Sequence, residues 1–254
     1  MTAATTTAPV QPERAEPLRR RRAGRSRGEA RAGILLSLPF LVLFGIFTAW
    51  PLVQSLFMSF TDMKIRDMQT PFAVNLVGLE NYAKAIADPV FQQGALNTAI
   101  FVVAGVPLTM AAALAAAVAL DKGITKFRSV FRVGFYTPVV TSIVAVAVVW
   151  RFLLQPDTGL VNTVLGWFGV AGPNWLGDTR TALASLIGMV VWRNFGTGMI
   201  IFLAGLQAVP WSLHEAAALD GANAWQRFRN VTLPGLRPTL LFVLVTTTIG
   251  YLQF

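Results

Sequence analysis

Long uncharged apolar runs alternate with short polar segments along the whole chain. Residues 32–61, 89–120 and 133–150 carry no charge, 181–213 are interrupted only by Arg193, and 238–254 are again uncharged. A helix needs about 20 apolar residues to cross a hydrocarbon core about 30 Å thick. The runs predict five transmembrane helices, over about 33–58, 96–120, 131–153, 182–207 and 237–254. The last stops abruptly at "GYLQF" without flanking charges, which is expected of a chain cut short of its membrane exit.

The polar segments have patterns of their own. Residues 60–95 form a loop in which "GLENYAKAIADP" has the spacing of a short amphipathic helix. Leu79, Tyr82 and Ile86 lie on one side of it, and Pro89 closes it. Residues 153–179 mix apolar positions with Gly and Pro and predict an interfacial or re-entrant hairpin, with Trp167 and Trp175 at headgroup level. In the second run, "TMAAALAAAVAL" offers small residues that let helix backbones approach closely, a packing face rather than a ligand site.

Composition sharpens this picture. Only 13% of the 254 residues are charged and 54% are hydrophobic, against about 25% charged in a soluble domain. The absence of cysteine and the single histidine, His214, exclude a disulfide framework, a thiolate metal site and a thiol nucleophile. A histidine metal cluster and a Ser-His-Asp relay fall with them, so neither catalytic nor metal-ligating residues are expected.

The net charge of +9 raises nucleic acid as a partner, but its distribution excludes it. Eight of the 21 basic residues lie within the first 31 positions, in a segment without apolar periodicity. Residues 1–30 are therefore expected to be a disordered basic tail whose main role is to set topology, with contact to anionic membrane lipid as a second role. The following run is too long for a signal core, so a retained first span is expected. Lys and Arg on the tail, the 121–132 loop and the 212–238 segment total fifteen, against five on the opposite loops. This bias predicts a cytoplasmic N-terminus.

Arg193 lies inside the fourth predicted span, in "VVWRNFGTGM". A cation there costs at least about 2.5–3.5 kcal/mol and normally faces a cavity or a partner; the alternative is a shifted span from which it snorkels outward. Trp192, Arg193 and Asn194 together offer stacking and hydrogen bonds to a sugar in a substrate pathway, and are equally compatible with a knot of helix packing.

The most informative segment is "SLHEAAALDGANAWQRFRNVTLPGLRP", residues 212–238. Pro210 ends the preceding span, and Ser212 with Glu215 matches a capping box that starts a helix. Gly221 stands where a helix C-terminus favours a left-handed residue. Asn223 with Gln226 offers a second cap, and Pro234 is expected to stop the second helix. Two short helices between spans follow, the first with three alanines in a row, a surface that another protein's cleft can approach closely.

This segment resembles the Glu-Ala-Ala signature of binding-protein-dependent ABC importer permeases. Glu215, Ala216, Ala217, Asp220, Gly221, Ala222, Phe228, Leu233, Pro234 and Pro238 match its pattern. "FYTPVVTSIVAVAVVWRFLLQPDTGLVN" and "IFLAGLQAVP" are similar to carbohydrate-importer permeases of the maltose and glycerol-3-phosphate type. The resemblance implies an all-α polytopic membrane protein with five of six core helices present, the sixth missing at the C-terminus. Its permease domain would span 31–254, with a cytoplasmic coupling segment over 210–236.

It also implies half of the translocation pathway of an ATP-driven sugar importer in a bacterial plasma (inner) membrane, working by alternating access. Glu215, Ala216, Ala217, Asp220 and Gly221 would couple to a cytoplasmic ATPase dimer, which would hold the ATP and magnesium. The chain itself would bind no cofactor and catalyse nothing, and it lacks G-x-x-x-x-G-K-[ST]. A second permease subunit and an extracytoplasmic solute-binding protein are the other partners implied. The competing class is a self-contained secondary transporter or channel; it would need intramembrane carboxylates, and the five predicted spans hold no Asp or Glu.

Overall fold

The computed structural model describes residues 27–63, 74–122 and 127–253. The expected disordered tail lies outside these residues except for 27–30, which are helical. Lys64, Arg66 and Lys126 of the charge bias also lie outside them. The described residues are almost entirely helical and divide into two compact units, the first ending at Ala85 and the second covering Ile86–Phe254.

In the first unit, α1 (Arg27–Phe44) leads through a π-helical turn (Gly45–Ala49) into α2 (Trp50–Met58). Pro51 has no N–H to donate, and its ring crowds the carbonyl four residues back. The wider turn just before it, closed by Trp50 N–H on the Gly45 carbonyl, accommodates both effects. The loop beyond α2 is drawn together by side-chain amides. Asn81 Nδ2 donates to the carbonyls of Ser59 (3.0 Å) and Thr61 (2.8 Å), and Asn75 donates to both carboxylate oxygens of Asp62. The amphipathic helix is α3 (Glu80–Ala87), with the Tyr82 hydroxyl 2.7 Å from Ser59 Oγ.

Pro89 does not close a segment but opens one. It is the first residue of α4 (Pro89–Lys122), a position where a missing N–H costs nothing. Asp88 caps that helix by accepting from Val90 N–H at 2.8 Å. The second span therefore starts at Pro89, two helical turns ahead of the expected start near Leu96.

α4 packs lengthwise on α8 (Ala182–Ala208) because both present small residues at the contact. Ala113, Ala117 and Leu120 fall on one face of α4 at helical spacing and are buried against Met199, Phe202 and Leu203. The small-residue run is thus a packing face. A methyl group added at Gly198 would come within 2.9 Å of the Ala113 Cβ.

The third expected span is broken. α5 (Arg128–Val140) and α6 (Ile143–Leu153) meet at 100°, with Thr141 and Ser142 extended between them. Pro138 weakens the ladder just before the break, and the hydroxyls of Thr137 and Thr141 bond back to the carbonyls of Val133 and Thr137 (2.8 and 2.9 Å), which bends helices. α7 (Leu160–Trp167) then folds back, and Asn162 anchors the return. It accepts from Trp175 Nε1 at 2.6 Å and donates to the carbonyls of Pro156 and Pro173.

The last helix, α12 (Arg237–Leu252), has 16 residues and reaches both α4 and α8. Its Tyr251 ring fills the space left by Gly105, packs on Phe101 at 5.1 Å, and places its hydroxyl 2.6 Å from Thr109 Oγ1. Tyr251→Phe would leave Thr109 without this partner, and such interhelical bonds are worth roughly 0.6–1.7 kcal/mol. A lower thermal midpoint of the detergent-solubilised protein is the expected result.

Among the described residues, three helical segments suffice by length and composition to cross a membrane: Arg31–Met58, Pro89–Asp121 and Ala182–Ala208. Counting each bent pair, α5 with α6 and Ala224–Gly235 with α12, as one span gives five.

Candidate functional site

The polar segment folds as two short helices around a glycine. α9 (Trp211–Leu219) starts two residues earlier than a cap at Ser212 implies, with Pro210 as its N-cap and no side-chain cap bond, so Ser212 and Glu215 do not form the expected capping box. The extended Pro210 (ψ 128°) already turns the chain into the helix, and Ser212 falls inside it rather than ahead of it.

The other end matches expectation closely. Gly221 has φ +79°, its N–H bonds the Ala218 carbonyl (3.0 Å), and Ala222 N–H bonds the Ala217 carbonyl (2.9 Å). This pair of bonds is the Schellman closure of a helix. α10 (Ala224–Arg227) opens with a complete capping box, in which Gln226 N–H donates to Asn223 Oδ1 (2.9 Å) and Asn223 N–H donates to Gln226 Oε1 (2.8 Å).

Pro234 does not stop the second helix. A π-helical turn (Phe228–Thr232) relaxes the ladder ahead of it, and Pro234 sits in the first turn of α11 (Leu233–Gly235), where a proline is tolerated. The chain bends at Leu236, by 67°, into α12.

None of the nine residues of α9 is buried, and Leu219 is 90% exposed. Glu215, Ala216 and Asp220 are exposed, Ala217 is half-buried, and Gly221 lies in the open turn. The coupling residues expected from sequence therefore share one short, capped helix with its closing turn. Between α9 and the ends of α4 and α8 lies a cavity of about 710 Å³, bounded by Asp121, Gln207, Trp211, His214 and Arg227 among others.

The three residues singled out in the fourth span are separated. Arg193 and Asn194 line a cavity of about 350 Å³, with Thr109 of α4 and Thr246, Thr247 and Tyr251 of α12. Trp192 instead packs its ring 5.9 Å from Trp150, beside a different hollow next to the α5–α6 break. At 3.6 residues per turn Trp192 and Asn194, two positions apart, point about 200° apart around α8.

Arg193 is about 16 Å along the axis from the start of α8 and about 22 Å from its end, at 1.5 Å per residue. It is half-buried and bonds Asn194 Oδ1 at 3.0 Å through Nη1. Arg193 thus lines this cavity. The threonines of this cavity were not picked out from sequence. Their signal is "TTT" in the last apolar run, since hydroxyls within spans generally face helix partners or cavities.

A family model described as "Binding-protein-dependent transport system inner membrane component" matches residues 105–253, more than half of the chain. The chain belongs to that family. The permease is similar to the arabinooligosaccharides transport system permease protein of Halalkalibacterium halodurans, 34% identical over 85% of this chain and 66% of that protein. It is also similar to the lactose transport system permease protein of Rhizobium radiobacter, 35% identical over 87% and 72% of the respective chains. It thus spans about two thirds of the length of the first relative and somewhat more of the second. Among solved structures, a bacterial ABC transporter involved in the import of the acidic polysaccharide alginate superposes with TM-score 0.69 at 26% identity, covering 88% of this chain and 74% of that one. The permease is a non-enzymatic, multi-pass membrane subunit of an ABC importer.

Proposed function

We propose that this permease carries a saccharide, with its N-terminus in the cytoplasm and α9 with Gly221 docked on a cytoplasmic ATPase dimer. The observation that carries the docking is α9 itself: nine capped residues of which this chain buries none, closed by a glycine that fixes where the helix ends. A helix this short is marginal alone in water, and its alanines leave a partner's cleft free to approach. The excess of Lys and Arg on the tail, the 121–132 loop and the 212–238 segment supports the orientation.

The saccharide reading is supported by the names of the relatives, which act on arabinooligosaccharides, lactose and alginate. ATP and magnesium belong to the ATPase, and a second permease subunit and an extracytoplasmic solute-binding protein complete the machine.

Co-expression with a cognate ATPase, second permease and binding protein, followed by uptake of labelled saccharides, tests this reading. Uptake that requires ATP and all four components is the expected result. Solute movement by this chain alone, down or against an ion gradient, would instead make it a self-contained transporter or channel.

A further inference from the structure

Arg193 is a cation placed midway along a membrane-spanning helix, where insertion costs at least about 2.5–3.5 kcal/mol. Buried charges are retained where something charged answers them. Among the described residues Arg193 has no ion pair, its one hydrogen bond is to the neutral amide oxygen of Asn194, and its Nε is buried without a partner. The rest of the cavity wall is threonine hydroxyls, the Tyr251 hydroxyl, glycine and aliphatic carbon, without a carboxylate.

We propose that this cavity receives the acidic group of its substrate, so that Arg193 makes the permease selective for anionic saccharides, those bearing a carboxylate or a phosphate. The inference rests on the saccharide reading and narrows it. A neutral sugar needs only hydroxyl and amide partners, which Thr246, Thr247, Tyr251 and Asn194 already supply; it gives no reason for a cation. The guanidinium fork matches carboxylate and phosphate oxygens two at a time, and the Nη1 bond to Asn194 orients it from one side. The walls come from α4, α8 and α12 of this one chain, and at about 350 Å³ the cavity lies at the lower end of the range of ligand sites.

The test uses the complete transporter in proteoliposomes, with saturating solute-binding protein whose own capture of each sugar is measured separately. Three probes are compared: a uronate disaccharide, a sugar phosphate and a neutral disaccharide. The wild type is expected to transport one acidic probe at least tenfold faster than the neutral one, and which probe it is tells carboxylate from phosphate. Arg193→Met is expected to reduce that preference at least tenfold. Arg193→Lys, which keeps a charge but loses the fork, should fall between the two and covers the case in which the methionine variant does not fold.

Equal transport of neutral and acidic probes by the wild type, or a preference unchanged within twofold in both variants, would overturn the proposal. So would loss of the second permease from either variant, because a carboxylate of that subunit would then be the counter-charge. Transport of none of the three, alongside ATP-driven transport of a non-sugar solute, would bring down the saccharide reading itself.

Discussion

Gly221→Pro is expected to uncouple transport from ATP hydrolysis, reducing uptake at least tenfold while the chain still inserts in the membrane. Gly221 has φ +79°, and proline is locked near about −65°. Proline also removes the N–H that bonds the Ala218 carbonyl, and the accompanying bond from Ala222 to Ala217 depends on the same left-handed turn. A left-handed residue other than glycine costs about 1–2 kcal/mol by itself, so Gly221→Ala should give a milder defect. The damage is confined to the end of α9, because space around Gly221 is open.

Glu215→Lys separates docking from folding. Glu215 is exposed and makes no ion pair among the described residues, and surface changes of this kind usually alter stability by less than about 0.5 kcal/mol. Co-purification of the ATPase should nevertheless fall at least tenfold. If both variants keep full ATPase association and full transport, α9 is not the docking helix.

The second large effect is on folding. Gly196 lies where α8 meets α5, and a Cβ there would run into the carbonyl oxygen of Phe135. That obstacle is backbone, which cannot rotate aside as a side chain does, so the helices would have to separate. Overpacking of this kind costs about 1–3 kcal/mol, sometimes more. Gly196→Leu should sharply reduce the yield and thermal midpoint of detergent-solubilised protein. Gly188→Leu on the same helix meets nothing within 4 Å and should be tolerated. Equal losses in the two variants would show that helix propensity or hydrophobicity, not the α5 contact, sets the outcome.

What was legible in the sequence was whatever depends on local chemistry or on long composition. Uncharged runs gave the apolar segments, Gly221 the left-handed turn, and the Asn223–Gln226 pair the cap. Where two local signals competed, sequence order alone did not decide. Pro89, Pro210 and Pro234 each read as the stop of the segment before it. In the structure Pro89 and Pro234 sit in the first turns of helices, and Pro210 caps one, displacing Ser212. The break at Thr141–Ser142 was hidden because its flanks are as apolar as a continuous span.

The cavity depends on tertiary contact and was only half visible. Arg193 and Asn194 signal themselves by polarity within an apolar run. Thr109 and Tyr251 lie 142 residues apart and meet only because α12 packs on α4 beside Gly105. Sequence proximity groups Trp192 with them, but two positions from Asn194 it stands on the other side of the helix.

The central claim is that α9 is the contact with the ATPase, and the chain's lack of cysteine gives it a clean test. With Leu219→Cys, at the most exposed end of the helix, a short thiol-to-amine cross-linker should join the permease to lysines of the ATPase subunit in membranes containing the whole transporter. No adduct with the ATPase, or reaction of that cysteine only with reagents added outside the cell, would contradict it.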